Sequence, residues 1–275
     1  MSTTTDRMAG RRAFVSGGAS GLGAETSRLF AAEGAAIAIA DLPQSEERAN
    51  ELIAELEAGG GRAVFVPLDV RDLGQVQAAV DGAVEALGGL DTVVASAGVA
   101  AHPEHHGGHG AILDLDPAHF NFVMDINLRG VFLVTQRVAR HMVDTGQHGA
   151  MVTLASMASK RPSAGAYSVS KAAVWMLTRC LAQELGPHGI RVNAIGPGYV
   201  DTDLLREMAR AGAGDDPEAQ ARFLDSRRAQ IALGEFPLPS DVAQTALFLC
   251  SDAGRTFTGS ILHPDGGYAS TFGGG

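Results

Sequence analysis

Short apolar runs alternate with longer amphipathic segments along most of this chain, and that alternation constrains the fold more than any other feature. Four such runs occur in the first hundred residues, at 13–16, 36–40, 63–66 and 92–95. Helical patterns lie between them, over residues 24–33, 44–58 and 75–87. Strands that alternate with helices predict a parallel sheet covered by helices on both faces.

The second half of the chain continues the same pattern. Three further strands are predicted at 150–154, 191–195 and 259–263, which brings the predicted sheet to seven strands. Helices are predicted over 117–143, over 167–185 and up to Cys250, the last capped by Ser240 and Asp241. Because no change in composition divides the 275 residues, we predict one doubly wound, Rossmann-like α/β domain, with residues 199–239 as a mobile flap over the substrate.

Charge and composition restrict the classes of partner. The formal net charge of −10 disfavours nucleic acid and anionic membranes. The sequence has no apolar run of about 18 residues that would span a membrane, and residues 1–10 form a polar tail without a signal core. The two cysteines, Cys180 and Cys250, lie in apolar helical patterns, as expected in a reducing compartment. We therefore expect a cytoplasmic protein that acts on a small molecule.

A glycine-rich loop separates the first predicted strand from the first helix, which is the context that dinucleotide binding requires. Gly17 allows a tight turn, and Gly21 and Gly23 let the backbone approach a pyrophosphate closely. The N-terminus of the helix then presents unpaired N–H groups and the positive end of its dipole to the phosphates. The loop therefore predicts a dinucleotide cofactor.

Asp41 stands at the tip of the second strand, 20 residues after Gly21. A carboxylate in this position accepts a hydrogen bond from a ribose 2′-hydroxyl and repels a 2′-phosphate. No Arg or Lys occurs in residues 15–26 or 35–47 to receive such a phosphate. The expected cofactor is therefore NAD(H) and not NADP(H). A simple turn cap is the alternative interpretation of Asp41.

Tyr167 and Lys171 are four residues apart in a helical segment and so lie on the same helix face. A free tyrosine has a pKa of about 10 and transfers protons poorly at neutral pH. A neighbouring ammonium favours the phenolate and lowers the tyrosine pKa. The pair predicts an acid/base device, although isolated pairs with this spacing are common on surface helices.

With these segments placed, residues 10–270 resemble the short-chain dehydrogenase/reductase family, in its branch with a single Rossmann-like domain. The segments that match its cofactor site are Ser16-Gly17-Gly18-Ala19-Ser20-Gly21-Leu22-Gly23, Asp69-Val70, Ser96-Ala97-Gly98 and Pro197-Gly198 with Thr202. The resemblance also implies cofactor contacts from Leu42 and Val200, and from Tyr167 and Lys171. Asn127, Ser156, Tyr167 and Lys171 match the catalytic tetrad of the family.

The resemblance implies a role for each residue of the tetrad. Tyr167 exchanges a proton with the substrate oxygen while a hydride moves between the substrate carbon and the nicotinamide. Lys171 lowers the pKa of Tyr167 and holds the nicotinamide ribose. Ser156 hydrogen-bonds the substrate oxygen, and Asn127 places a water beside Lys171. The predicted function is the NAD-dependent interconversion of a secondary alcohol and a ketone.

Two positions depart from the family pattern. Ser96 stands where the family usually has Asn, which weakens a backbone clamp outside the tetrad. Ser156 precedes Tyr167 by 11 residues, a shorter spacing than the family pattern. Ser159 and Ser163 are also near, and Ser156 is preferred because it follows the strand directly.

The remaining segments, 99–113, 157–166 and 199–237, are left to form the substrate pocket. The first contains His102, His105, His106 and His109, which suit a solvated loop, then a substrate contact, and least a metal site, so no metal is expected. Lys160 and Arg161 suit either an anionic substrate group or solvent, with solvent preferred. The flap contains apolar residues that suit a lid or simple packing, namely Phe223, Leu224, Ile231 and Phe236.

Three other hypotheses stay open at this point. Within enzymes, the chain is a diol dehydrogenase of aromatic breakdown or a ketoreductase that works mainly in the reductive direction. Outside enzymes, it is a catalytically idle NAD-binding sensor or scaffold. The family resemblance also implies a homotetramer, and the apolar faces of residues 121–142 and 172–185 suit subunit packing or core packing equally.

Overall fold

A computed structural model of the chain describes residues 6–101, 112–160 and 165–270. Seven parallel strands form one sheet in the order β3-β2-β1-β4-β5-β6-β7. The strands are β1 Arg12–Ser16, β2 Ala36–Asp41, β3 Arg62–Pro67, β4 Thr92–Ala95, β5 Gly149–Leu154, β6 Ile190–Ile195 and β7 Ile261–Leu262. The predicted doubly wound sheet of seven strands is confirmed.

Helices cover both faces of this sheet. They are α1 Gly21–Ala32, α2 Glu46–Ala58, α3 Leu73–Leu87, α4 Pro117–Met124, α5 Val131–Asp144, α6 Gly165–Leu185, α7 Asp203–Ala213, α8 Pro217–Arg228 and α9 Pro239–Cys250. None of the helices within the described ranges has the length and apolar character needed to cross a membrane.

The strands are buried on both sides because successive side chains point to opposite faces of the sheet. In β1, Phe14 packs with residues of α3, α5 and α6, whereas Val15 packs with residues of α1, α2 and α9. Both side chains are fully buried. The sheet therefore separates two hydrophobic cores, and the continuous apolar character of its strands follows from that position.

The helix predicted over residues 117–143 is interrupted. Helix α4 passes into a π-helical turn, Asp125–Gly130, before α5 begins at Val131. A π-turn widens the helix by one residue and leaves the local backbone hydrogen bonds rearranged. Asn127 lies inside this turn and is fully buried. Hydrophobic periodicity does not reveal such a turn, because one inserted residue changes the helical pattern only locally.

The start of α9 also differs from the prediction. The helix begins at Pro239, so Leu238 occupies the cap position and Ser240 lies within the first turn. Asp241 does contribute, because its Oδ2 accepts a hydrogen bond of 2.7 Å from the Leu238 N–H. The cap predicted at Ser240-Asp241 is therefore wrong in position. The helix starts earlier, at Pro239, because proline is favoured as the first residue of a helix.

The topology brings the predicted functional segments together. Strands β1 and β4 are neighbours in the sheet but not in sequence, which makes their carboxyl ends a topological switch point. The glycine loop follows β1, residues 96–98 follow β4, Ser156 follows β5 and Pro197 follows β6. All of these segments lie at one edge of the sheet, where open α/β sheets bind ligands.

Candidate active site

The glycine loop is a tight turn in which side chains have no room. Gly17 has a φ of +66°, and a Cβ built on it would lie 2.9 Å from the backbone of Ala97. A Cβ on Gly23 would lie 2.1 Å from the carbonyl oxygen of Gly17. Gly17 therefore permits the close approach of the loop to residues 96–98, and Gly23 permits the close packing of α1 under the loop.

The N-terminus of α1 has the properties of an anion site. The first N–H groups of a helix have no partner within it, and the Ser20 side chain does not cap them. A Cβ added to Gly21 would meet nothing within 4 Å, so open space adjoins the loop. Leu22 follows Gly21 in the first turn of the helix. These features fit the pyrophosphate of a dinucleotide.

Asp41 ends β2 and faces the glycine loop. Its Oδ2 accepts a hydrogen bond of 3.0 Å from the Ala19 N–H, and its Oδ1 accepts hydrogen bonds from the Leu42 N–H at 2.8 Å and the Ser45 hydroxyl at 3.2 Å. The turn-cap interpretation of Asp41 is therefore part of its role. An ionised carboxylate offers about four acceptor positions, so capacity for a ribose hydroxyl is left.

A cleft of about 400 Å³ adjoins this end of the loop, between α1 and α2. Ser20, Arg28, Arg48 and Asp203 are among the residues that line it. Arg28 forms ion pairs with acidic side chains on α1 and α2, whereas Arg48 has no carboxylate partner within the described parts of the chain. The absence of Arg and Lys from residues 35–47 did not reveal this guanidinium. Arg48 is the next residue, and the first turn of α2 places its side chain at the cleft beside the glycine loop.

Asp69 and Val70 follow β3 on the predicted adenine side. Asp69 pairs with Arg71 at 2.6 Å, and this hydrogen bond holds the pKa of the Asp69 carboxyl below its usual value. Val70 is buried against Gly130 in the π-turn, where an added Cβ would lie 2.6 Å from Val70. The adenine-side segment is thus packed directly on the turn that contains Asn127.

Residues Ser96, Ala97 and Gly98 lie between the glycine loop and the predicted tetrad. The Ser96 N–H donates to the Ser16 carbonyl at 3.1 Å, which continues the β1–β4 pairing past the strand ends. A Cβ built on Gly98 would lie 3.2 Å from Asn127 Oδ1 and 3.3 Å from Lys171 Nζ. Gly98 therefore borders the tetrad directly.

Asn127 is fixed by both polar atoms of its amide. Its Oδ1 accepts from the Val99 N–H and its Nδ2 donates to the Val99 carbonyl, each at 2.8 Å, and Nδ2 also lies 3.2 Å from Ser170 Oγ. The Ser170 hydroxyl in turn donates to the Tyr167 carbonyl at 2.7 Å. The side chain of Asn127 thus joins the segment after β4 to helix α6.

Ser156 and Tyr167 meet despite their short separation in sequence. A hydrogen bond joins the two hydroxyls, and Ser156 Oγ also accepts from the Ala158 N–H at 3.1 Å. Protein atoms surround the half-buried phenol, and this burial raises the pKa of Tyr167, while the hydrogen bond from Ser156 acts in the lowering direction. The alternative Ser159 has a buried hydroxyl without a partner among the described residues, and the alternative Ser163 lies outside them.

Lys171 is almost fully buried, and its Nζ donates a hydrogen bond of 2.8 Å to the Leu154 carbonyl. Burial lowers its pKa to about 8. Its Nζ lies 5.6 Å from the centre of the Tyr167 ring. In this structure desolvation of the phenol dominates the pKa of Tyr167, and the Lys171 ammonium is directed at a backbone carbonyl, so the lowering of the Tyr167 pKa by Lys171 stays a prediction.

The segment after β6 closes the site from the flap side. The Pro197 carbonyl accepts a hydrogen bond of 2.9 Å from the Met157 N–H, next to Ser156. Gly198 packs on Asp265, where a Cβ would lie 2.9 Å from the Asp265 Cβ. Val200 is buried, and the Thr202 hydroxyl donates to its carbonyl at 3.2 Å. The structure thus places these residues between the tetrad and α7.

An apolar wall lies beside Tyr167, and the sequence assigned most of its residues to the pocket segments 157–166 and 199–237 but missed Tyr268 and Ala269. This wall consists of Met157, Ala158, Tyr167, Tyr199, Ile231, Phe236, Tyr268 and Ala269. The rings of Tyr199 and Tyr268 form an edge-to-face pair with centroids 5.1 Å apart. Asp265 builds the turn that holds Tyr268, because its carboxylate accepts from two backbone N–H groups. The Gly266-Gly267 pair before Tyr268 was the one available signal of this turn.

The ranges that the structure describes contain no group of three His, Cys, Asp or Glu side chains arranged to bind a metal. His102, His105, His106 and His109 lie outside those ranges, as does Arg161. Lys160 is exposed.

Comparison with known proteins agrees with this geometry. The family model described as enoyl-(acyl carrier protein) reductase matches residues 17–269. L-2,3-butanediol dehydrogenase of Corynebacterium glutamicum is 37% identical over 93% of this chain and 97% of its own. Cis-4-hydroxycyclohexanecarboxylate dehydrogenase of Sinomonas cyclohexanicum is 38% identical over 96% of this chain and 99% of its own.

Solved structures share the fold. A short-chain dehydrogenase of Burkholderia cenocepacia J2315 in complex with NADP superposes with a TM-score of 0.80 at 35% identity, over 96% of this chain and 100% of its own. Sheet and site together define a nicotinamide-dependent oxidoreductase. The chain belongs to the short-chain dehydrogenase/reductase family, and it is an enzyme that interconverts an alcohol and a ketone. The idle-protein hypothesis is therefore set aside.

Proposed function

We propose that this enzyme oxidises a secondary alcohol with NAD⁺, or reduces the ketone with NADH, and that Tyr167 is its general acid/base. The observation that carries this proposal is the hydrogen bond between Tyr167 on α6 and Ser156, which follows β5. Tyr167 belongs to the apolar wall, as does Met157, the residue after Ser156. A substrate oxygen can therefore form hydrogen bonds with the hydroxyls of Tyr167 and Ser156 at the same time.

The nicotinamide cofactor supplies or accepts the hydride when it is bound. In oxidation, Tyr167 takes the hydroxyl proton of the alcohol, and in reduction its O–H protonates the forming alkoxide. Ser156 holds the substrate oxygen beside Tyr167 and stabilises negative charge on it. The hydrogen bond from Ser156 also lowers the pKa of Tyr167, which offsets part of the effect of burial.

Lys171 and Asn127 support this proton transfer. We propose that Lys171 binds the hydroxyl groups of the nicotinamide ribose while its Nζ stays close to the Leu154 carbonyl, which it contacts in this structure. With these ribose hydroxyls as partners, the ammonium beside Tyr167 favours the phenolate form of Tyr167. Asn127 keeps the segment after β4 attached to α6, and we assign to it the placement of a water beside Lys171 for proton transfer to solvent.

The cofactor assignment rests on Asp41. The glycine loop and the α1 N-terminus suit the pyrophosphate, and Asp69 suits the adenine. Asp41 is assigned to the ribose 2′-hydroxyl and would oppose a phosphate there by charge. Arg48 at the cleft, which has no carboxylate partner among the described residues, favours the competing cofactor NADP, which one structural relative binds. We propose NAD because Asp41 contacts the loop itself, whereas Arg48 is exposed one helical segment away.

We further propose one domain with a helical flap, a homotetramer and a cytoplasmic location. Helices α7 and α8 lie in this flap, over residues 199–239. Large apolar side chains stay exposed on α5 and α6, including Phe132, Val169 and Met176. An exposed apolar face of this kind suits subunit contacts. Size-exclusion chromatography with light scattering measures the subunit number.

One experiment tests the activity and the cofactor together. NADH or NADPH formation is followed at 340 nm with a panel of acyclic diols and cyclic secondary alcohols. Wild-type protein should work faster with NAD⁺, and Tyr167→Phe should lose at least ~10²-fold in turnover, the range of general acid/base catalysis. NADH binding, measured by fluorescence, should persist in the variant. Near-normal turnover of Tyr167→Phe would refute its role, and a preference for NADP⁺ would transfer the cofactor assignment to Arg48.

A further inference from the structure

An arginine on the flap contacts the apolar wall beside Tyr167. Arg227 lies in the last turn of α8, and its guanidinium carbon is 5.7 Å from the centre of the Tyr199 ring and 4.7 Å from the centre of the Phe223 ring. Tyr199 belongs to the wall that includes Tyr167 and Met157. The guanidinium therefore contacts one ring of the wall against which a substrate would lie.

This guanidinium has no counter-ion of its own within the described ranges. Its Nε–H is enclosed and lacks a hydrogen-bond acceptor there. Two carboxylates in or beside the flap helices are bound to other arginines, since Arg228 pairs with Asp225 and Arg206 pairs with Asp201. Arginines of this protein that are half-buried usually bind a carboxylate, as Arg12 binds Asp91 at 3.1 Å. A half-buried guanidinium that stacks on aromatic rings and has no anionic partner should bind an anionic group of a ligand more strongly than a guanidinium that is already paired.

We propose that Arg227 receives a carboxylate on the substrate, so that the enzyme prefers a hydroxy acid with an apolar body. The proposal rests on the alcohol dehydrogenase function given above and specifies its substrate class. The apolar wall contacts the carbon body, Tyr167 and Ser156 hold the hydroxyl, and the guanidinium fork binds the carboxylate at the other end. Stacking on Tyr199 and Phe223 fixes the plane of the fork before the substrate arrives.

Arg228 offers a matched control. It neighbours Arg227, and its guanidinium also stacks on an aromatic ring, that of Phe236 at 4.9 Å. Its charge, however, is already paired with Asp225. Replacing Arg228 therefore removes an arginine and its stacking from the same helix end without removing an unpaired charge.

The test compares an acid with its neutral isostere. Initial rates are measured with cis- and trans-4-hydroxycyclohexanecarboxylate and with the corresponding 4-hydroxycyclohexanecarboxamides. In Arg227→Met, the kcat/KM for the acid should fall ~10–100-fold, mainly through KM, because a charged hydrogen-bonding partner is lost. The value for the amide should stay within a small factor. Arg227→Lys keeps the charge but not the fork and should restore part of the preference. Arg228→Met should change both substrates to the same extent.

Each outcome decides the matter. An acid-to-amide ratio that Arg227→Met leaves unchanged, or that Arg228→Met lowers equally, overturns the substrate assignment while leaving the dehydrogenase function intact. If neither compound is turned over, calorimetry of cyclohexanecarboxylate with the wild-type enzyme and NADH replaces the rates. Binding that Arg227→Met abolishes supports the site, and equal or absent binding overturns it. If Arg227→Met fails to fold by circular dichroism, Arg227→Gln takes its place in both assays.

Discussion

Lys171→Met should stabilise the protein in the absence of cofactor while it removes activity. The wild-type ammonium is almost fully buried, and within the described residues its one hydrogen-bond acceptor is the Leu154 carbonyl. No carboxylate in the described ranges forms an ion pair with this ammonium, and burial lowers the pKa of Lys171 from 10.5 to about 8. Methionine has a similar length and no charge, so it suits the same space.

The magnitude follows from that pKa. A shift of about 2.5 units corresponds to about 3 kcal/mol between the folded and unfolded environments of the ammonium at neutral pH. Leaving the Leu154 carbonyl without this donor opposes the gain by about 1 kcal/mol. The variant should therefore be more stable by about 1–2 kcal/mol at pH 7, which is a rise in Tm of about 2–8 °C for a chain of this size.

The pH dependence separates this explanation from simple repacking. Between the folded pKa of about 8 and the unfolded pKa of 10.5, the unfolded state binds more protons, so wild-type stability rises with pH in this window. Wild-type stability should then rise by about 2–3 kcal/mol from pH 7 to pH 10, so the advantage of Lys171→Met should disappear or reverse at pH 10. Urea denaturation of both proteins at the two pH values measures it. A variant that is less stable at pH 7, or an advantage that does not change with pH, would refute the reasoning.

Two further predictions concern neighbouring residues. Ser156→Ala should reduce kcat by ~10-fold or more, because it removes a hydrogen bond to the reacting oxygen and raises the Tyr167 pKa further. Ser159→Ala is the control and should retain near-wild-type rates. The opposite pattern would assign the role to Ser159. Asn127→Ala should destabilise the protein by about 2 kcal/mol or more, because the Val99 N–H and carbonyl lose their partners; a thermal melt that does not change would contradict this.

Local sequence signals predicted most of the fold because each rests on short-range physics. Apolar runs bounded by glycine predicted the seven strands, and their alternation with helices predicted parallel pairing. The π-turn at Asn127 and the start of α9 at Pro239 were not predicted. Both depend on contacts or steric details that a hydrophobic pattern averages over, such as the packing of Val70 on Gly130.

The candidate site divides in the same way. The glycine loop, Asp41, Tyr167 and Lys171 carry their chemistry in residue type and spacing, so the sequence alone indicated them. Tyr268 is 101 residues beyond Tyr167 and joins the same wall through a turn held by Asp265. Such a contact has no local signal, because it exists only when β7 closes the sheet beside β6.

The sequence by itself determined the class of fold, the family and the set of residues with reactive side chains, since these follow from periodicity and from motifs within single segments. The tertiary structure decided what surrounds those residues. It buried Lys171 and Tyr167 and so set the direction of their pKa shifts, and it placed Arg48 at the cofactor cleft. It also placed Arg227 on Tyr199, with no counter-ion among the residues that the structure describes. Desolvation and charge pairing depend on every neighbour in space, and distant parts of the chain supply most of those neighbours.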